Sequence, residues 1–159
     1  REAVGQQVLA VEVDDDDRDV FNLLGGYEER FFLYYEDVDL AFRALLMGYE
    51  ALVVPSARVV HRLGATTRSM ARLRFYVARN STWCAVRCLP SLSAPVLARR
   101  WLAELRSHRP RRFAAAEVAG RLAGLARLPR TLSERRAIQR RRVVGPAEVD
   151  AVVRAPVMP

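Results

Sequence analysis

The sequence predicts an α/β amino-terminal part followed by a basic, mostly helical extension, and three observations predict it. Short runs of alternating or β-branched character stand at residues 7–13, 51–54 and 59–61, the pattern expected of strands. Between the first and second run, apolar residues recur at spacings of three and four, as on one face of a helix. From Met70 onward the helical period persists while arginines accumulate. The expected division lies there, with residues 1–69 as one unit and 70–159 as the other.

In order, Gln7 to Val13 alternates as a strand and is followed by Asp14, Asp15, Asp16 and Asp17, which read as a solvated acidic turn. Asp19 to Leu24 reads as a short helix leading into Gly25 and Gly26, where missing Cβ atoms permit a tight turn. From Glu36 the residues Val38, Ala41, Phe42, Leu45 and Leu46 mark an amphipathic helix that Gly48 ends. Ala51 to Val54 is a strand stopped by Pro55, and Val59, Val60 and His61 form another. Gly64, Thr66, Thr67 and Arg68 read as a loop.

The helical part begins with Leu73, Tyr76, Val77, Asn80, Trp83, Cys84 and Arg87 on one face and ends near Pro90. A second helix carries Val96, Leu97, Trp101 and Leu105. A third runs from Phe113 to Leu128, with Val118, Leu122 and Leu125 on its apolar face and Arg121 and Arg127 outside it. A fourth covers Thr131 to Arg142, and Pro146 to Val153 reads as a last short turn of helix.

A chain of 159 residues with 51% hydrophobic content is long enough for one domain with a real core. No window of about eighteen residues is free of charge, and the amino terminus, which starts at Arg1 without Met, lacks a secretory pattern. The expected location is therefore cytoplasmic, with peripheral attachment to the inner face of the membrane as an extension of that reading. Charge is uneven: residues 1–40 hold twelve acids and three arginines, a balance of −9, whereas residues 99–142 hold fourteen arginines and three acids, a balance of +11. Arginine and Trp beside apolar stripes suit an anionic membrane surface, and packing onto the rest of the chain accounts for them equally. Nucleic acid is not favoured, because Phe113 alone interrupts the arginines of residues 106–142. Cys84 and Cys88, four apart, read as small buried hydrophobes rather than a metal or redox site.

The most informative stretch is Gly25 to Leu40, GGYEERFFLYYEDVDL. A solvated turn would not place Phe31, Phe32, Leu33, Tyr34 and Tyr35 together, and a plain core segment would not follow them with Glu36, Asp37 and Asp39. The mixture suggests a pocket wall with acids at its rim. Those acids fall in the first turn of the following helix, where free N–H groups and the helix dipole favour negative charge. Caps without chemistry look the same.

The run from Gly25 to Thr67, GGYEERFFLYYEDVDLAFRALLMGYEALVVPSARVVHRLGATT, resembles the C-terminal part of the catalytic domain of family 2 glycosyltransferases, above all their bacterial rhamnosyltransferase-like branch. The resemblance implies an incomplete portion of a nucleotide-sugar transferase domain of the GT-A type. It implies inverting transfer of a sugar from a nucleotide-diphosphate donor to a hydroxyl of a glycan or lipid-linked acceptor in cell-envelope synthesis. On that resemblance Asp37 is the general base. Glu36, Asp39, Tyr34, Tyr35 and Gly26 meet the acceptor, with Phe31 and Phe32 adding to its apolar floor. Gly64, Thr66, Thr67 and Arg68 close over the donor diphosphate, and His61 is a ligand of a divalent metal, Mn²⁺ or Mg²⁺. The family's Asp-x-Asp motif lies much farther upstream of the Gly-Gly loop than Asp14–Asp17 do. Its nucleotide-binding half is therefore expected to be missing, and the chain alone to be inactive. The alternative is a non-catalytic module whose basic helices dock on a membrane surface or nucleic acid.

Overall fold

The computed structural model describes residues 15–50, 69–91, 101–102 and 113–154. Helix α1 is Asp15–Leu23, a single 3₁₀ turn covers Glu29–Phe31, and α2 is Glu36–Leu46. They are followed by α3 (Met70–Cys88), α4 (Ala114–Leu125), α5 (Leu128–Arg140) and α6 (Pro146–Arg154). No strand occurs among the described residues. The expected α/β architecture is thereby corrected to an all-helical one over these residues. The apolar face of α2, which a GT-A type reading would rest on a sheet, is taken by helices instead. Val38 and Phe42 pack on the cluster of Phe31 with Trp83 and Cys84 of α3, while Leu46 clusters with Cys88 of α3 and Val149 of α6. The three strand candidates, 7–13, 51–54 and 59–61, lie outside the described residues.

The helices at 36–46 and from Met70 stand where the periodicity puts them. Gly48 follows α2 at φ 85, and Ser69 caps α3 by accepting from the Arg72 N–H at 3.3 Å. Two further expectations change. Asp15, Asp16 and Asp17 belong to α1 rather than to a turn before it, consistent with the preference for acids at a helix start. Around α4 much of the expected pattern is reversed: Val118 and Leu122 are exposed while Glu117, Gly120, Arg121 and Gly124 are buried, although Leu125 is half-buried and Arg127 lies outside as expected.

That reversal follows from how closely α4 lies on α3, the most extensive helix pair of the fold. A Cβ at Gly120 would run into the Phe75 carbonyl oxygen, and one at Gly124 would stand 3.1 Å from the Thr82 side chain and 3.2 Å from the Arg79 carbonyl. Two glycines one turn apart let the backbones meet where Val or Leu would hold them apart. The Trp83 indole N–H donates to the Gly124 carbonyl at 3.0 Å, closing the interface.

Helix α5 secures the other end of α3, whose last carbonyls have no partner within the helix. Arg135 donates to the carbonyls of Val86 (2.9 Å), Leu89 (2.6 Å) and Pro90 (2.9 Å), and Gln139 donates to that of Cys88 at 3.0 Å. Part of the arginine excess is therefore spent inside the molecule. Beyond α5 the chain returns to α2, where the Val143 N–H donates to the Leu46 carbonyl at 2.9 Å.

Candidate functional site

The segment Phe31 to Asp37 joins a buried ring to an exposed acid in seven positions. Phe31 is fully buried, edge-on to Trp83 with ring centroids 5.9 Å apart. It belongs to the core and offers no floor to a ligand. Phe32 is 66% exposed and rests against Tyr76. Tyr34 and Tyr35 are half-buried, and Tyr35 packs on the Phe31 cluster. Three of these residues hold positive φ, 60 at Phe32, 65 at Tyr34 and 74 at Tyr35, each at a cost of about 1–2 kcal/mol for an L residue. Strain of this kind persists only where surrounding contacts impose it.

Those contacts come from α3. Asn80, fully buried, donates its amide to the carbonyls of Phe31 (2.9 Å), Leu33 (2.8 Å) and Tyr34 (2.8 Å). Arg79 donates from Nη2 to the carbonyls of Arg30 (3.2 Å) and Phe31 (3.0 Å) and from Nε to the Asn80 Oδ1 (2.9 Å). Its guanidinium lies 4.5 Å from the Trp83 ring centroid and 4.7 Å from that of Tyr76. Burial pushes its pKa down, and Arg127 nearby adds to that.

At the start of α2 the acids separate. Asp37 is exposed, and its Oδ1 accepts from the Val38 N–H at 2.8 Å. Glu36 is half-buried, and its Oε2 has no hydrogen-bond partner among the described residues. Asp39 is fully buried: Oδ2 accepts from Arg43 Nε at 2.8 Å, and Oδ1 lies 3.4 Å from Arg87 Nη1. Arg43 also donates to the carbonyls of Leu24 and, at 2.7 Å, Gly26, tying α2 to the Gly25–Gly26 turn.

A cleft of about 630 Å³ opens beside that turn, with Gly26, Glu28, Arg30, Arg43, Arg87 and Glu134 in its lining; Asp37 does not line it. Glu28 accepts from Arg30 at 2.7 and 2.9 Å, and Arg30 reaches Glu134 of α5 at 2.7 Å. The Arg30 hydrogen bonds hold the Glu28 carboxyl down at about 2, against 4.5 for the free group.

The residues placed by sequence thus fall into three groups. Asp37, Glu36, Tyr34 and Tyr35 share one end of α2, whereas Gly26 and Asp39 belong to the Arg43 network behind it. His61, Gly64, Thr66, Thr67 and Arg68 lie outside the described residues. One described trio, Asp39, Cys84 and Cys88, has the side-chain proximity a metal would need, but it does not fit one. Arg43 and Arg87 occupy Asp39, and the Cys88 thiol is pushed well above its usual range, first by hydrogen bonding with Cys84 and then by burial. A metal takes thiolates, not thiols. Arg43, Asn80 and Arg87 were not singled out as site residues. Arg43 could have been, since Asp39 and Arg43 stand four apart, the spacing of an ion pair on a helix.

Two curated relatives match the chain over part of its length. Both are N-acetylglucosaminyl-diphospho-decaprenol L-rhamnosyltransferases of Mycobacterium tuberculosis, from strains CDC 1551 / Oshkosh and ATCC 25618 / H37Rv, and each is 44% identical to the chain over 50 residues. The chain is related to glycosyltransferases over that stretch. The stretch is 31% of this chain, and it spans 16% of the length of the relatives. No family model and no solved structure matches the chain. Among the described residues, no helix is long and apolar enough to cross a membrane.

Proposed function

We propose that this chain supplies the acceptor-side segment of an inverting glycosyltransferase of cell-envelope synthesis, with Asp37 as general base. The observation that carries the proposal is the split within one four-residue motif: Asp39 is sealed into an arginine network, while Asp37, two positions earlier, is held open to solvent at the start of the same helix. The partial identity to the rhamnosyltransferases supports it.

In the proposed step the acceptor hydroxyl gives its proton to an Asp37 carboxylate oxygen as its own oxygen bonds to the anomeric carbon. The bond from that carbon to the donor diphosphate breaks, and its electron pair leaves with the nucleoside diphosphate. Attack opposite the leaving group inverts the centre. Glu36, Tyr34 and Tyr35 flank the base and would orient the acceptor. A divalent ion, which the family resemblance would have His61 help to hold, would supply positive charge to the leaving diphosphate.

The test is transfer from a nucleoside-diphosphate L-rhamnose to an N-acetylglucosaminyl-diphospho-lipid by the polypeptide that carries this sequence. Asp37→Asn keeps the shape of the side chain and should lower turnover about a thousandfold. Turnover near that of the parent would show that Asp37 is not the base.

A further inference from the structure

We propose that Asn80 is a positioning residue: from the middle of α3 it fixes the backbone of Phe31–Tyr34 and thereby the direction in which Asp37 presents its carboxylate. The inference rests on the Asp37 assignment above and adds a residue from a different helix, more than forty positions away in sequence.

The geometry is specific. One amide nitrogen faces three carbonyls of a single loop at 2.8–2.9 Å, so its two hydrogens are shared among them. The amide can sit only one way round, because its oxygen accepts from the Arg79 Nε–H, a group that cannot face the NH₂. Asn is a poor residue for the interior of a helix and costly to bury unless its polar atoms are satisfied, and here the loop carbonyls are what satisfy the NH₂.

The link to Asp37 is short. Tyr34, whose carbonyl Asn80 holds, is followed by Tyr35 at φ 74, whose carbonyl accepts the Asp39 N–H at 2.9 Å and opens α2. One residue thus separates the anchored carbonyl from the helix that carries the acid. The positive-φ conformations at Phe32, Tyr34 and Tyr35 are unfavourable for these side chains in a free loop. Without the Asn80 anchor the segment has reason to relax, and α2 would begin in another direction.

The test uses the polypeptide that carries this sequence, with a nucleoside-diphosphate L-rhamnose as donor and an N-acetylglucosaminyl-diphospho-lipid as acceptor. Asn80→Ala should lower kcat about a hundredfold, with the donor KM within about twofold. Amide hydrogen exchange at residues 33–38 should quicken about tenfold, while that of α4 holds. The deciding arm is the double variant. If Asn80 acts through the acid, adding Asn80→Ala to Asp37→Asn lowers kcat by less than about threefold; a merely structural role makes the two losses multiply and overturns the proposal. Should Asn80→Ala fail to fold, Arg79→Lys keeps the charge and removes the Nε–H that orients the amide. It should give the same pattern at about a tenfold loss in kcat, and an unchanged kcat with unchanged exchange would overturn the proposal. If Asp37→Asn alone retains the turnover of the parent, the base assignment fails and the positioning role toward that acid fails with it. Multiplying losses with Asp37→Asn impaired sink the Asn80 role alone.

Discussion

The Phe31–Tyr35 loop and α4 meet the same turns of α3, around Arg79 to Trp83, and are held by opposite means. Between α3 and α4 the backbones touch through Gly120 and Gly124, every residue is helical, and the helices hold each other by direct contact. The loop is strained at three residues and is held by side-chain donors, Asn80 and Arg79, that reach out to its carbonyls. Close packing gives rigidity without aiming any group. Anchored strain fixes one direction for the chain that follows, and in this molecule that chain carries Asp37.

The largest expected effect breaks the packed side of this contrast. Gly120→Val should cost about 3 kcal/mol in chemical denaturation, because its side chain meets the Phe75 carbonyl and neither backbone can yield alone. A loss of less than about 1 kcal/mol would show that the interface is looser than the contact implies. By comparison, Asn80→Ala removes hydrogen bonds and leaves buried carbonyls unsatisfied, which should cost about 2 kcal/mol; its larger consequence is kinetic.

The smallest effect concerns the cleft that ties the loop to α5. Arg30 holds the Glu28 carboxyl at about 2 in the folded chain against 4.5 when free. The stabilisation this supplies is fully present above about pH 5 and is lost as pH falls toward 2. Glu28→Gln should flatten the acid side of the stability curve over that interval and leave the curve above pH 6 parallel to that of the parent. An unchanged acid slope would mean that the Glu28–Arg30 contact does not carry it.

Much of the helical layout was legible. Glu36 to Leu46 repeats its apolar residues at three and four and ends at a glycine, and α2 has those bounds. The α4 faces were not legible, because Val118 and Leu122 look like a core stripe until Gly120 and Gly124 are seen to admit a second backbone. The α/β expectation drew on the short runs at 7–13, 51–54 and 59–61, whereas the described residues close their core helix on helix. For the proposed site, the crowding of aromatics before Glu36-Asp37-Val38-Asp39 singled out the segment in which one acid is open and another is sealed. Periodicity could not say which acid is open and which is sealed, since that depends on Arg43 from the same helix and Arg87 from α3. Asn80 was legible only as a member of a buried face, because its partners are backbone carbonyls, which carry no sequence signal.

The exposed acid at the start of α2 is expected to meet the acceptor while its buried neighbour does not. Carbodiimide labelling of carboxylates, read residue by residue with and without an N-acetylglucosaminyl-diphospho-lipid, tests it most directly. Asp37 should be labelled in the free protein and protected several-fold by the lipid, exposed Asp19 labelled equally in both, and buried Asp39 labelled in neither. Equal labelling of Asp37 with and without the lipid, under conditions where transfer proceeds, would contradict it.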